Sequence, residues 1–460
     1  QADYLAMLYA AIKSGYFTTR QESIRLLFDK EVPAAIKVDH MLVRGMAMEC
    51  IGMMGSFDRE TAWEYTGLLM RTLMTDKYIS VMGIAMSSMA DFAIAHGLSE
   101  LKLWMQCSTP ASCPLEYFAM MEKYVQHESY EMAYNTAQAA QKLAIHDVSS
   151  MMHLNKTMAL LAFRAFHPTS FSHSRFRTSV LRFFGIFGET SVANQNALAE
   201  VASQMLTIMR DNLALYKTII DLEQAHRAIE IVIGACAPSQ LKKAASTTRI
   251  GNIAHGVLLK KIGESLEKFH SKDVPASEEH YFRALLAASS AIELHGQKAN
   301  TLRDFYTVLF NCGDTTVTKD PTVPKTINKL LKTLDQAIDV VNEIQRQQAL
   351  LGDPVDDDLR LPFADEQEEL FATLRQRATA MGIEVTDGSK GMFKTPSTAR
   401  KQRQLAINDV QKRGLKPEPM LSKSAAHAAL KAAAEESAER PSARAHLRRG
   451  ARLLATISED

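Results

Sequence analysis

A six-residue pattern that recurs within the first hundred residues restricts the fold of this chain more than any other feature. VRGMAM (Val43 to Met48) returns as VMGIAM (Val81 to Met86), with the same offset at every matched position. A period of roughly 40 residues with helix on both sides of each turn is typical of HEAT and armadillo arrays, in which each helix pair buries its apolar face only by stacking on its neighbours. The sequence therefore predicts an all-α fold, an α-solenoid of irregular HEAT-like helical repeats.

Apolar residues at helical spacing continue well beyond this repeat, and turn-forming residues are scarce. The chain has only 21 glycines and 14 prolines among 460 residues, fewer than the roughly 12% of average usage. The pattern predicts helices at Glu60 to Thr75, Tyr78 to His96, Leu115 to Gln126, Tyr130 to Ile145, Met158 to Phe166, Arg175 to Phe187, Ala193 to Asp211, Glu223 to Ala235, Gln240 to Phe269 and Glu279 to His295.

Three regions differ in composition. Residues 1–350 are predicted to form the solenoid, and the heptad-like spacing from Ile327 to Val341 predicts that its last strong helix docks on the solenoid itself rather than on a partner. Residues 351–386 are predicted to be an acidic linker with a short helix. Residues 387–460 hold fifteen basic and eight acidic residues with few aromatic ones, so a largely disordered basic tail is expected there.

The common catalytic and cofactor-binding patterns do not occur in the sequence. It has no G-x-x-x-x-G-K-[ST], no H-E-x-x-H and no G-x-S-x-G, and its five cysteines are an odd number without a C-x-x-C pair. No apolar run of about 18 residues indicates a membrane span. We therefore expect a protein that is not an enzyme, holds no metal or cofactor, binds no membrane and works in a reducing compartment.

Two long windows of the chain contain basic residues and no acidic residue. The first, Met151 to Gly188, and the second, Ile231 to Gly263, supply the candidate DNA-binding residues Lys156, Arg164, Arg175, Arg177, Arg182, Lys242, Lys243, Arg249, Lys260 and Lys261. Two such windows could line one groove and neutralise phosphates, which would make DNA binding independent of base sequence and sensitive to salt. There are two alternatives to DNA binding: these residues form solvated helix edges, or they line a groove that binds an acidic peptide.

Four segments resemble the condensin G subunit family in order and spacing. They are VRGMAMECIGMMGSFDRETA (Val43 to Ala62), DFAIAHG (Asp91 to Gly97), LLAFRAFHPTS (Leu160 to Ser170) and FRTSVLRFFGIFGETSVANQ (Phe176 to Gln195). The resemblance covers Val38 to Met209 well and indicates the carboxy-terminal portion of such a subunit. Thr178 stands where the family usually has Gln, and Gly185 and Gly188 replace a proline and small residues. The conformation of the local turn is therefore not predicted by the resemblance.

The resemblance implies a non-enzymatic HEAT-repeat subunit of the condensin complex, located in the nucleus and on mitotic chromosomes and also in the cytoplasm. It implies binding of the kleisin (condensin H) subunit and, together with that subunit, of double-stranded DNA during mitotic chromosome condensation. The ATP chemistry would belong to the partner SMC ATPase subunits. The alternative from another class is a HEAT-repeat transport or adaptor scaffold that binds acidic peptides.

A regulatory site is predicted in the basic tail. Thr395 precedes Pro396 and is followed by Arg400 and Lys401. Phosphorylation by a proline-directed kinase would add about two negative charges to a basic run and weaken phosphate contacts there.

Overall fold

The computed structural model describes residues 2–14, 22–108, 115–211, 222–241, 254–270, 274–275, 278–315, 320–354 and 359–381. Within these ranges the chain forms seventeen α-helices and no strand beyond one isolated bridge between Lys298 and Arg360. The helices are α1 (Ala2–Ser14), α2 (Glu22–Ile36), α3 (Met41–Phe57), α4 (Arg59–Thr75), α5 (Ile79–His96), α6 (Leu98–Ser108), α7 (Leu115–Val125), α8 (Tyr130–His146), α9 (Met151–Phe166), α10 (Ser174–Gly188), α11 (Val192–Asp211), α12 (Leu222–Ala235), α13 (Ala254–Leu266), α14 (Glu279–Ala291), α15 (Ala299–Thr315), α16 (Thr322–Leu350) and α17 (Ala364–Ala380). The predicted all-α fold is confirmed.

The helices alternate between two rows, as expected for stacked helix pairs. A first row runs α1, α3, α5, α8, α10, α12, α14 and α16, and each of these helices packs on the next. A second row packs α4 on α6, and α7, α9, α11, α13 and α15 on one another in that order. Because a helix contacts mainly its neighbours in these rows, the core is continuous along the array.

The sequence repeat lies on two adjacent first-row helices, α3 and α5. Glycines let the neighbouring helices approach closely: a Cβ at Gly55 would lie 2.4 Å from the Phe92 ring, and a Cβ at Gly83 would lie 2.0 Å from the Asn135 amide of α8. Within the described residues α5 is the one helix long and apolar enough to pass a length-and-composition test for a membrane span. Most of its apolar residues are buried against α3, α4, α6 and α8, which explains its composition.

Several predicted boundaries were wrong. The helix predicted from Met158 begins at Met151, and the helix predicted from Glu279 ends at Ala291 instead of His295. The long helix predicted from Gln240 to Phe269 begins with a separate 3-10 turn, its residues 242–253 lie outside the described ranges, and α13 begins at Ala254. Helices α1, α2, α6 and α15 were not predicted.

The region predicted as a linker contributes to the packed structure. Leu361 is buried, its N–H donates to the Gln297 carbonyl at 2.9 Å, and its carbonyl accepts from the Gly296 N–H at 2.7 Å. The chain divides into two compact units, Gln1–Arg377 and Ala378–Asp460, so residues 351–377 of this region belong to the first unit. The predicted docking of α16 on its own solenoid is confirmed by its packing on α14 and α15.

The second unit is described only for residues 378–381, where α17 ends. The predicted disordered tail and its Thr395 lie outside the described residues.

Candidate nucleic-acid interface

Helix α10 carries three of the candidate arginines along the edge of a buried aromatic face. Phe176, Val180, Phe184 and Phe187 recur at helical spacing, and all four are buried in the core. The Phe183 and Phe187 rings stack at 5.0 Å. The aromatic residues of this helix are therefore structural, whereas Arg175, Arg182 and Ile186 are exposed.

Aromatic rings position two of the arginines. The Arg175 guanidinium lies 4.8 Å from the centre of the Tyr134 ring on α8, and that of Arg177 lies 4.6 Å from the Phe171 ring. Arg182 is exposed one turn or more further along α10. Within the described part of the chain, none of the three forms an ion pair with a carboxylate, so their charges are not neutralised by a side-chain anion.

Arg164 on α9 is occupied by structural contacts. Its Nη1 donates to the Val125 carbonyl at the end of α7, at 2.6 Å, and its guanidinium lies 4.4 Å from the Tyr130 ring. Burial lowers the pKa of Arg164. This side chain joins α7, α8 and α9, and a phosphate could reach it only at the cost of those contacts.

Two candidate lysines form ion pairs with carboxylates of the preceding second-row helix. Lys156 on α9 lies 2.5 Å from the Glu122 carboxylate on α7, and Lys261 on α13 lies 2.8 Å from that of Glu200 on α11. Sequence windows without acidic residues therefore do not ensure an uncompensated basic surface, since the neighbouring repeat supplies the anion.

Ion pairs of the same kind join other helices of neighbouring repeats. Lys142 on α8 pairs with Asp91 on α5 at 2.8 Å, and Arg59 pairs with Glu100 at 2.5 Å. Arg44 also pairs with Asp76 across a similar separation in sequence. Ion pairs between repeats are thus common in this structure, and the unpaired arginines of α10 differ from that pattern.

Among the described residues, the α10 arginines and the candidate lysines of the second window lie in different rows of helices. Arg175, Arg177 and Arg182 lie on first-row helix α10, whereas Lys260 and Lys261 lie on second-row helix α13. Lys242, Lys243 and Arg249 lie outside the described residues. The structure therefore places Arg175, Arg177 and Arg182 together on one helix, apart in row from Lys260 and Lys261.

Lys260 faces a groove of about 950 Å³ between α13 and α15. The groove is also lined by the basic Lys298 and Arg360 and by the acidic Glu264, Glu267 and Asp304. Its charges are mixed, so it does not present a uniform surface to a polyanion. No group of three or more His, Cys, Asp or Glu side chains is placed to hold a metal ion in the part of the chain that the structure describes.

The sequence did not reveal the polar contacts that position α10. Gln138 on α8 donates to the Ser179 hydroxyl at 2.9 Å, and that hydroxyl donates to Gln141 at 3.1 Å. His173 stacks on Tyr130 at 3.9 Å at the start of the helix. Gln138 and Ser179 are 41 residues apart, which is close to the repeat period. This spacing was the only feature of the sequence that could have indicated their contact.

Comparison with known proteins identifies a matching family and solved structures of similar fold. A family model described as nuclear condensing complex subunits, C-terminal domain (Cnd3), matches residues 5–294. The solved S. pombe condensin Cnd3–Cnd2 subcomplex contains a chain that is 14% identical, with a TM-score of 0.54 over 72% of this chain and 42% of that chain. No curated protein matches by sequence. This chain thus spans less than half the length of the solved relative, and at this identity the likeness shows a shared fold.

Proposed function

Because the chain belongs to the family of nuclear condensing complex subunits through their C-terminal domain, we propose that it is a non-catalytic HEAT-repeat subunit of condensin that binds the kleisin subunit and duplex DNA. It acts in mitotic chromosome condensation, in the nucleus and on mitotic chromosomes. The SMC ATPase subunits of the complex carry out the ATP chemistry.

The observation that carries the DNA part of the proposal is the unpaired arginine edge of α10. A guanidinium without a carboxylate partner can bind a phosphate without first breaking an ion pair. Arg175 is in addition held against Tyr134, so less side-chain freedom is lost when it binds. Contacts of this kind read the backbone rather than the bases, so binding is independent of sequence.

The kleisin part of the proposal is supported by the family and by the solved relative, which is a complex of two condensin subunits, Cnd3 and Cnd2. A stack of helix pairs offers an extended surface, as binding scaffolds of this type require. An adaptor for acidic peptides, the alternative function, would use the same basic side chains. The two functions are separated by how steeply the affinity for duplex DNA depends on salt concentration.

The test measures duplex-DNA affinity across a salt series for the full chain bound to its kleisin subunit. We expect Arg175→Glu/Arg182→Glu to weaken binding about tenfold or more at moderate salt. The slope of log affinity against log salt should become shallower by roughly 0.9 for each phosphate that the variant no longer binds.

Lys325→Glu/Lys329→Glu is the matched control, because it changes the net charge equally at exposed residues of α16 that form no ion pair within the described residues and lie outside both acid-free windows. The proposal requires a clearly smaller effect from this control. Equal effects would mean that only overall charge matters, and an unchanged slope in the α10 variant would exclude these arginines from the DNA surface.

A further inference from the structure

The groove between α13 and α15 contains a buried amide whose NH2 group makes no hydrogen bond. Gln297, which lies just before α15, is 3% exposed and lines the groove. Its Nε2 has no hydrogen-bond partner among the described residues. A buried donor without an acceptor is costly and uncommon in native proteins. A ligand in the groove can supply the missing acceptor.

The surrounding main chain fixes this amide at the wall of the groove. The Gln297 N–H donates to the Leu294 carbonyl at 3.2 Å, and the Gln297 carbonyl accepts from the Leu361 N–H at 2.9 Å. On the side of α13, a Cβ at Gly256 would lie 2.6 Å from the Gln297 Oε1, so the glycine leaves the space that the amide occupies. The amide is thus held in place without using its Nε2.

Basic side chains line the same end of the groove. Arg360 is brought there by the isolated bridge to Lys298, and its Nη1 donates to the Gly296 carbonyl at 3.3 Å. Lys260 lies one turn after Gly256 on α13 and is exposed. Neither Arg360 nor Lys260 forms an ion pair within the described residues. Together with the amide they can hold one anionic group.

The two helices run in the same direction, which polarises the groove. Gly256 near the start of α13 lies against Gln297, and the Leu266 carbonyl at the end of α13 is 3.5 Å from the Cys312 Sγ near the end of α15. Both amino-terminal ends, with their partial positive charge, therefore lie at the end that holds the amide. The acidic Glu267 lines the groove just after α13 ends. An anionic group is favoured at the Gln297 end and disfavoured at the other.

The middle of the groove is apolar and has room for more than one anion. Phe305 and Val308 line it, and Gly263 adds no side chain there. Its volume of about 950 Å³ is near the upper end of the range for ligand pockets. From Lys260 to Glu267 the rise along the helix is about 10 Å, which corresponds to roughly three residues of extended chain. These dimensions suit a short peptide.

We infer that this groove binds a short peptide segment of a partner protein, in which an acidic residue neighbours apolar ones. The carboxylate accepts from the Gln297 amide and pairs with Lys260 and Arg360. The apolar side chains of the segment cover Phe305 and Val308. The site lies apart from the arginines of α10, so the inference goes beyond the proposed function and does not rest on it.

Other occupants fit the groove less well. The acidic side chains that line it repel a polyanion such as DNA. A stable contact between two copies of the chain buries roughly 800 Å² per partner, which a groove of this width does not provide. A peptide with one carboxylate and an apolar flank matches both the basic end and the apolar middle.

The experiment selects peptides from a random 12-residue phage library on the immobilised full chain and measures the selected peptides, made synthetically, by calorimetry. Lys260→Glu should weaken the binding of groove peptides about tenfold or more, because it sets a carboxylate against theirs. Lys268→Glu is the matched control, since it changes the charge equally at an exposed residue just after α13 that does not line the groove. Arg175→Glu/Arg182→Glu is a second control, which identifies peptides that bind α10 instead.

A second variant, Gln297→Met, separates a ligand-binding amide from a structural one. Methionine is unbranched like glutamine and removes the unpaired NH2 group, so the melting temperature should stay the same or rise. The affinity for the groove peptides should fall about tenfold, because a charge-assisted hydrogen bond is lost. A lower melting temperature with unchanged peptide affinity would show that the amide serves packing alone and would overturn the inference.

The outcomes of the selection decide between the occupants. The inference is supported by peptides with Asp or Glu beside apolar residues that lose affinity in both groove variants and keep it in both controls. It is overturned if no selected peptide responds to Lys260→Glu, if Lys268→Glu has an equal effect, or if the groove peptides lack an acidic residue. Self-association that Lys260→Glu abolishes, or displacement of the groove peptides by duplex DNA, also overturns it. None of these results alters the test of the α10 arginines.

Discussion

At the scale of single residues, two glycines of α10 that depart from the family pattern behave differently. The departure left open whether a turn interrupts this segment, and the structure continues α10 through both glycines to Gly188. A Cβ at Gly188 would lie 1.9 Å from the Ala235 carbonyl oxygen, whereas a Cβ at Gly185 would have no atom within 4 Å. Gly188 is therefore required by the approach of α12, and Gly185 is not.

We expect Gly188→Ala to lower the free energy of unfolding by about 2 kcal/mol, because the backbone of α12 must move away. Gly185→Ala should be neutral or should stabilise the helix by up to about 1 kcal/mol, through the higher helix propensity of alanine. Urea denaturation of both variants checks this pair. Equal effects would show that the packing between α10 and α12 is looser than the structure indicates.

At the scale of helices, the buried His255 joins three elements. It lies at the start of α13, its Nε2 is 2.9 Å from the Ile233 carbonyl of α12, and its Nδ1 accepts from the Glu293 N–H beyond α14 at 2.8 Å. The geometry requires the neutral ring with its proton on Nε2. Burial lowers the pKa of His255, although the Ile233 carbonyl and Glu293 oppose that shift.

This environment gives a stability that depends on pH. The folded pKa lies below the unfolded value of about 6.5, so the unfolded chain binds the proton more readily. The contribution of His255 is complete above about pH 6.5 and is lost as pH falls through the folded pKa. We expect His255→Gln to lower the free energy of unfolding by about 2 kcal/mol at pH 7.5 and by less at pH 5.5. Denaturation curves at both pH values test this, and an equal loss at both would exclude the titration of His255.

At the scale of the first compact unit, the packed structure extends past residue 350, where the sequence predicted a linker. Leu361 and Phe363 are buried, and the carbonyls of Leu359 and Leu361 accept from the N–H groups of Ala299 and Gly296. Arg377 pairs with Asp353 at 2.9 Å and joins α17 to the end of α16. The acidic residues of this region do not prevent it from docking, because a few apolar side chains and backbone hydrogen bonds hold it.

A chain ending at Leu350 should therefore be less stable than one ending at Met381. We expect its melting temperature to be lower by roughly 5 °C, since the truncation removes five large buried apolar side chains, Leu351, Leu361, Phe363, Phe371 and Leu374. The Gly296 and Ala299 amides, which lose their acceptors, should exchange faster with deuterium. Unchanged exchange at these two amides would show that the 296–299 segment does not depend on the returning chain.

The sequence by itself determined the helical class, the stacking of helix pairs and the buried face of α10, because these follow from apolar spacing within one or two helices. The recurrence of VRGMAM as VMGIAM identified α3 and α5 as equivalent units. The sequence also identified the arginines of α10, but it did not show whether they form ion pairs.

Only the tertiary structure decided which of these basic side chains form ion pairs with carboxylates. Lys156 and Lys261 lie in windows without acidic residues, yet Glu122 and Glu200 of neighbouring repeats pair with them. The register between first-row helices was likewise not readable from the sequence, because it depends on how far each helix is shifted along the next, and packing fixes those shifts. In a solenoid the local period specifies each helix, but the surface that a partner meets is assembled from residues of different repeats, and packing between repeats sets its register.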